Sequence, residues 1–337
     1  LTVAKVGYLV VSRNNERTIL QCLLSIVEQN YTAKKIYLLD NCSEDLTVGL
    51  VEKNFPDVFI IKSKSNLGFA ASNNQLVRLA LTDKTIKYLA LVNSDAELEK
   101  NWTKLIVEFA ETTVKGAGFQ GLTLKALERD KVDSHHLYVR QNLQSIQFGF
   151  ELNKNLIATD TREVFGVNAA AAIYSRAFIE NQPQQNLFEE KFFMYLEDVD
   201  VAFRAQLSGW RNYHVNGAVA YHLGSGSSKR YGFNWYMTCR NQPALILRNL
   251  PSDLTYRCLK SALKFEPILY HAAYKEDGIR LLLKVILGRV VGLLRLPLYL
   301  RDRKRIQKLK SVPSSQIANY FLAEGEPLNG TKENQAQ

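Results

Sequence analysis

The sequence predicts an α/β fold, a mainly parallel sheet flanked by helices, with a helical amphipathic extension at the C-terminal end. Three observations predict it. Continuously apolar short runs alternate with amphipathic ones over the first 125 residues. A polar cluster follows each of the first four apolar runs. The last third loses the strand pattern and becomes helical and basic. Apolar runs suit strands covered on both faces, and the amphipathic intervals suit the helices that cover them.

The strand-like runs are residues 3–11, 35–39, 58–62, 88–92 and 118–124, and the helix-like intervals are 18–28, 47–54, 70–81 and 102–112. In an open parallel sheet the ligand sits at the C-terminal strand ends. The residues there are "SRNN" (12–15), "DNCSED" (40–45), "SNLGFAASNN" (65–74) and "NSDAEL" (93–98). Each alone is ordinary turn chemistry. Four at one edge of one sheet point to a polar crevice. Residues 126–162 are weakly patterned and read as loops with an irregular hairpin; His135 and His136, which fall there, are expected at the surface without a role. "VFGVNAAAAIY" (164–174) then reads as a further buried strand.

"FFMYLEDVDVAFRAQLSGW" (192–210) places Glu197, Asp198 and Asp200 behind an aromatic wall and ahead of a helix-like run. One acid suffices to cap a helix. Three acids against apolar residues carry a desolvation cost and point to a working site. Two further residues suit a cation. Asp95 lies just past a parallel strand, and His222 ends the run "AVAYH". Carboxylate, imidazole and phosphate oxygen together suit Mg²⁺ or Mn²⁺.

Composition narrows the class. The chain has 337 residues, 46% hydrophobic and 23% charged, which is globular. Cys22, Cys42, Cys239 and Cys258 contain no CxxC pair, so neither a disulfide framework nor a zinc cluster is expected, and a reducing compartment is. No N-terminal signal peptide is read, and the start at Leu1 leaves room for a missing piece. The net charge is +10, and residues 248–310 hold fifteen Lys and Arg against five Asp and Glu. The excess is therefore local, and no nucleic-acid partner is expected. Residues 281–300 are apolar but interrupted by Lys284, Arg289 and Arg295, which argues against a span of about 20 apolar residues. The basic residues gather on one helical face, Arg289 apart, and "RDRKRIQKLK" follows. Residues 278–310 are expected to lie on a membrane surface. The tail 325–337 is expected to be disordered.

The ordered set "VVSRNN", "LLDNCSED", "SNLGFAASNN", "LVNSDAELEKNW", "FFMYLEDVDVAFRAQLSGWR", "AVAYHLGSGSS" and "CRNQPALILRNLP" resembles glycosyltransferase family 2, the inverting GT-A enzymes, over roughly residues 3–250. It looks most like the bacterial rhamnosyltransferase-like branch that builds cell-surface polysaccharide. That family's metal motif is usually Asp-x-Asp; here Asn93 takes the first place, one carboxylate fewer.

The resemblance implies a catalytic domain over 1–232, and the residues beyond it read as a helical, basic, membrane-associating region over 233–324. Asp40 would face a pyrimidine, with Ser12 and Asn14 beside it. Asn66 and Gly68 would border the nucleoside. Asn93 and Asp95 would lie at the donor, and Asp95 and His222 would hold the cation on its diphosphate. Asp198 would be the general base, with Glu197 and Asp200 supporting it or meeting the acceptor and Trp210 lining the acceptor side. The implied reaction moves a sugar from a pyrimidine nucleotide-sugar, dTDP-rhamnose or a UDP-sugar, to a lipid-linked or cell-surface glycan at the cytoplasmic face of the membrane. Two rivals are an inert membrane-bound scaffold and a sugar nucleotidyltransferase. "SRNN" is not the Gly-rich basic loop a nucleotidyltransferase needs, and intact Asp95, Asp198 and His222 weigh against the scaffold. A processive synthase would need membrane spans and a Gln-x-x-Arg-Trp motif, which the sequence lacks.

Overall fold

The computed structural model describes residues 3–158, 160–224 and 232–322. The tail expected to be disordered lies outside them. Four strands, β1 (Lys5–Ser12), β2 (Lys34–Asp40), β3 (Phe59–Lys62) and β4 (Ile86–Val92), alternate with α1 (Ile19–Val27), α2 (Thr47–Asn54) and α3 (Gly68–Thr82). The short β5 (Ala96–Leu98) and α4 (Trp102–Thr112) lead into the long β6 (Gly116–Lys125). Next come β7 (Val132–Ser134), the hairpin β8 (Leu137–Arg140) and β9 (Ser145–Gln147), then β10 (Arg162–Val164) and β11 (Ala171–Ser175). After α5 (Arg176–Glu180) and α6 (Glu197–Leu207) comes β12 (Arg211–His222).

The main sheet has the order β10-β12-β6-β11-β4-β1-β2-β3. β1, β2, β3 and β4 are mutually parallel, β6 and β12 run parallel to each other, and β10 and β11 are antiparallel to their neighbours. Its two faces bury separate apolar clusters. Tyr8, Val10 and Ile36 lie under α1 and α4, and Leu9, Leu39 and Leu89 lie under α3. Burial on both faces explains why these strands read as apolar runs.

The expected strand at 164–174 is broken. After β10 the chain is irregular through 165–170 before β11 begins. Asn168 Oδ1 accepts the Ala170 N–H, an Asx turn that competes with the ladder. The break frees backbone groups that the site uses.

The C-terminal part is α7 (Phe233–Asn249), α8 (Ser252–Leu294), α9 (Leu300–Gln307), α10 (Ser314–Ala318) and the short β13 (Phe321–Leu322), which pairs with β8. α8 is kinked at Asp277 and Gly278, where Gly278 has φ 63°. The Arg289–Glu266 ion pair ties the second arm back to the first. Gly288 and Gly292 let that arm lie against α7, where an added Cβ would come within 2.5 Å of the Tyr236 and Arg240 carbonyl oxygens respectively. Pro297 then separates α8 from α9. Lys284, Arg289 and Arg295 are half-buried at the edges of this arm, while Leu283, Ile286, Leu287, Val290, Leu293 and Leu294 face outward. The exposed stripe is thus leucine-rich rather than basic, because the small residues take the packed face. Exposed cations follow in α9 and beyond, at Arg301, Lys304, Arg305, Lys308 and Lys310.

Candidate active site

The loops after β1, β2 and α3's leading turn converge at one edge. Ser12 and Asp40 are paired in register at the ends of adjacent strands. Asp40 is buried; its Oδ2 accepts the Ser43 N–H at 3.2 Å, while Oδ1 has no hydrogen-bond partner among the described residues. A buried carboxylate oxygen without a donor is costly, so this atom is suited to receive one from a ligand. Asn14 sits at φ 54° and ties the first two loops together, taking the Glu44 N–H on its side chain and giving its own N–H to Ser43 Oγ. Asn41 donates to Asn66 Oδ1 at 2.9 Å and accepts the Leu67 N–H. Asn66 in turn accepts the Gly68 N–H.

At the end of β4, Asn93, Ser94 and Asp95 meet the end of β12. His222 Nε2 lies 3.3 Å from Asp95 Oδ1 and 3.2 Å from the Asn93 amide nitrogen. On the other side of the ring, His222 Nδ1 lies 3.0 Å from Asp133 Oδ2. Burial pulls this imidazole down, but the hydrogen bonds to Asp133 and Asp95 and their charges outweigh it and raise it to about 10, so a cation taken up here must displace the Nε2 proton. A cation with oxygen and nitrogen ligands at about 2.1 Å places neighbouring donors roughly 3 Å apart, so the Asp95–His222 separation fits a shared ion. No group of three or more His, Cys, Asp or Glu among the described residues could hold a metal ion. A two-residue pair would leave the other positions to phosphate oxygens and water.

The acidic segment is held under strain. Phe193, Tyr195 and Leu196 have φ of 65°, 70° and 69°. Each left-handed non-glycine residue costs about 1 kcal/mol or more, so the surroundings must impose the turn. α7 does this. Asn241 Nδ2 lies 2.8–3.0 Å from the carbonyl oxygens of Phe192, Met194 and Tyr195, and Arg240 donates to the Phe192 carbonyl at 2.6 Å. Gly68 supports the same turn from the nucleotide side. Its φ is 79°, and an added Cβ would lie 2.6 Å from Phe193 O, which accepts the Ala70 N–H.

The turn delivers three acids to the first turn of α6, where the helix dipole favours negative charge. Their environments differ. Asp198 is half-buried, Glu197 is 7% exposed and Asp200 is fully buried. The Asp198 carboxylate accepts the Val199 N–H and the Ala169 N–H, the latter from the break before β11. The adjoining Ala170 carbonyl accepts the Asn93 N–H, so one loop links Asp198 to Asn93, beside the Asp95–His222 pair. Burial pushes Asp198 up, against its backbone hydrogen bonds. Burial pushes Glu197 up as well, and the Asp198 charge adds to it; Glu197 Oε2 has no hydrogen-bond partner among the described residues. Asp200 is also buried, but the Arg248 and Arg204 charges outweigh that and hold it near about 2. Arg204 Nε and Arg248 Nε both lie 2.9 Å from it, and Asn249 donates at 2.7 Å. Of the two roles expected for Asp200, the geometry therefore gives support; a fully enclosed carboxylate does not meet an acceptor.

Two expectations are corrected. Trp210 does not line the acceptor side. It follows the far end of α6, where seven to ten helical steps at about 1.5 Å each separate it from the acids by roughly 10–15 Å, and it packs on Phe178 there. His135 and His136 are not surface residues. Both are buried, and His135 stacks on His214 of β12 with ring centroids 3.5 Å apart. Burial holds all three below the usual histidine range, His135 at about 4. The sequence reading also missed Asn15, whose Oδ1 accepts from Ser12 Oγ, the Arg13 N–H and Ser94 Oγ, bridging the β1 and β4 loops. It missed Asp133, Asn241 and Arg248 too. The motif "CRNQPALILRNLP" contained the last two, and their spacing of seven on one helix was the available signal.

A strand-end crevice with a carboxylate–imidazole pair and a buried acid-bearing helix start is the arrangement of a GT-A glycosyltransferase. The family model for glycosyl transferase family 2 matches residues 8–181, more than half the chain, and the chain belongs to that family. No curated protein matches. Among solved structures, Staphylococcus aureus TarS 1-349 in complex with UDP-GlcNAc superposes with TM-score 0.59 at 16% identity, over 90% of each chain. The mannosyltransferase PcManGT from Pyrobaculum calidifontis, in complex with GDP-Man and Mn²⁺, gives 0.54 at 13% identity over 91% of this chain and 86% of that one. GalNAc-T7 with UDP, GalNAc and Mn²⁺ gives 0.61 at 11% identity over 95% and 58%. These likenesses are of fold.

Proposed function

We propose that this glycosyltransferase inverts the anomeric centre while moving a sugar from a pyrimidine nucleotide-sugar, dTDP-rhamnose or a UDP-sugar, to a hydroxyl of a lipid-linked or cell-surface glycan. The observation that carries the reading is the sorting of the three acids. Asp198 alone among them combines solvent access with a raised carboxyl, as a general base near neutral pH requires. Asp200 is committed to two arginines and Glu197 is enclosed. Asp198 takes the proton of the acceptor hydroxyl as that oxygen attacks the anomeric carbon and the bond to the nucleoside diphosphate breaks. One base suffices, since no glycosyl-enzyme intermediate forms; a retaining enzyme would use two carboxyls about 5 Å apart.

Asp95 and His222 would hold a divalent cation, Mg²⁺ or Mn²⁺, and Asn93 would border it. When bound, the cation supplies charge neutralisation on the leaving diphosphate. The solved structures holding Mn²⁺ with a nucleotide or nucleotide-sugar support this assignment. Ser12, Asn14 and the unpaired Asp40 Oδ1 would receive the base, and Asn66 and Gly68 the ribose side.

The protein would work at the cytoplasmic face of a membrane. No helix among the described residues is long and apolar enough to cross one. The outward leucine stripe of α8 beside the exposed α9 cations suits the interfacial region of anionic lipid instead. The test of the reaction is a donor panel read by release of nucleoside diphosphate. Turnover with a UDP- or dTDP-sugar in the presence of Mg²⁺ or Mn²⁺, stopped by EDTA, is expected. Turnover only with purine nucleotide-sugars, or undiminished turnover in EDTA, contradicts the reading.

A further inference from the structure

Asp133 enters the site from a direction the sequence motifs do not mark. It is the central residue of β7, which pairs antiparallel with the end of β6. The register shifts between Thr123 and Leu124, and such a bulge re-aims the side chain beside it. β12 runs along the same end of β6, with His222 opposite Lys125. The strands meet at their side chains, Asp133 Oδ2 lying 3.0 Å from His222 Nδ1. Asp95 and Asn93 sit at the other ring nitrogen.

The two nitrogens of an imidazole take different roles, and the partner of one decides what the other offers. A carboxylate at Nδ1 keeps a hydrogen there and turns the Nε2 lone pair outward. A ring with no such partner rotates about its side-chain torsions and divides between two tautomers. Here Asp133 is nine-tenths buried, which restricts its own motion.

We propose that Asp133 is a positioning residue: it fixes the tautomer and plane of His222 so that Nε2 is presented, beside Asp95, to the divalent cation of the donor complex. The proposal rests on the reading of Asp95 and His222 as the cation pair. Losing an outer-shell carboxylate of this kind lowers metal affinity about 10- to 100-fold.

The test measures Mn²⁺ binding to the full chain with saturating UDP, by electron paramagnetic resonance of free Mn²⁺. Asp133→Ala should weaken binding by about 10-fold or more, and His222→Ala at least as much. Asp133→Asn, whose amide oxygen still accepts the Nδ1 hydrogen, should recover most of the affinity. Unchanged affinity in Asp133→Ala with weakened affinity in His222→Ala overturns the positioning role and leaves the cation pair standing. Unchanged affinity in His222→Ala overturns the cation reading itself, and the proposal with it. A measurement on the unmutated protein guards against a variant that fails to fold. In the Mg²⁺–UDP complex, ¹⁵N resonances should show His222 protonated at Nδ1 and bare at Nε2; a proton on Nε2 overturns the proposal.

Discussion

Replacing Asp200 by Asn removes one negative charge from an enclosed site that holds two positive ones. Arg248 keeps its ion pairs with Glu189 and Asp302. Among the described residues Arg204 keeps only neutral partners, Gln182 Oε1 and the Leu187 carbonyl. The unmatched charge is therefore Arg204, itself 3% exposed. Breaking a buried pair at one partner costs about 3–5 kcal/mol. The amide oxygen still accepts one hydrogen bond and Arg248 stays paired, so the lower end, about 3 kcal/mol, is expected. At roughly 2 °C per kcal/mol for a chain of this size, Tm should fall by about 6 °C. Circular dichroism or scanning fluorimetry at pH 7 reads this directly. The remaining folded protein should keep kcat within a few-fold of wild type. A Tm within about 1 °C of wild type would refute the argument that Asp200 is a structural counter-charge.

Two further outcomes follow from the same reasoning. The His135, His136 and His214 cluster stays neutral in the fold below the pH at which free histidine protonates, so each member contributes stability that is lost as pH falls below about 6.5, at up to about 1.4 kcal/mol per pH unit. Glu197 and Asp198, raised in the fold, oppose this trend, so the effect is isolated by difference: urea unfolding of His135→Gln between pH 6 and 4.5 should show a slope shallower than wild type by about that amount, and equal slopes contradict it. Sedimentation with anionic vesicles should carry the protein down at low salt and release it at high salt, since each exposed Lys or Arg near such a surface contributes about 1 kcal/mol; equal binding to neutral vesicles removes the role of the basic residues, and no binding to anionic ones removes the membrane surface as partner.

The parallel sheet was legible because β1, β2 and β4 bury both faces and therefore read as apolar runs. The crevice was legible because strand-end loops concentrate Asn, Asp, Ser and Gly. Asp198 could be singled out from its neighbours only through the resemblance; the physical sorting needed the arginines 204 and 248, of which the second lies 48 residues away from Asp200. The same limit hid Asp133, which is 89 residues from His222 and sits in a weakly patterned stretch. It hid the buried histidines, since His135 is enclosed by the distant His214 as well as by His136 and Phe148. Trp210 was misplaced because proximity in sequence to the acids was taken for proximity in space, and a helix of three turns separates the two.

The central claim is that Asp198 removes the acceptor proton. Its most direct test is kcat for nucleoside diphosphate release by Asp198→Asn, with the donor and acceptor that turn over best. The account predicts a loss of about 100-fold or more, with nucleoside diphosphate affinity unchanged, because Asp40, Asp95 and His222 are untouched. Near-normal kcat in Asp198→Asn, with Asp200→Asn folded and inactive, would contradict it and move the base to Asp200.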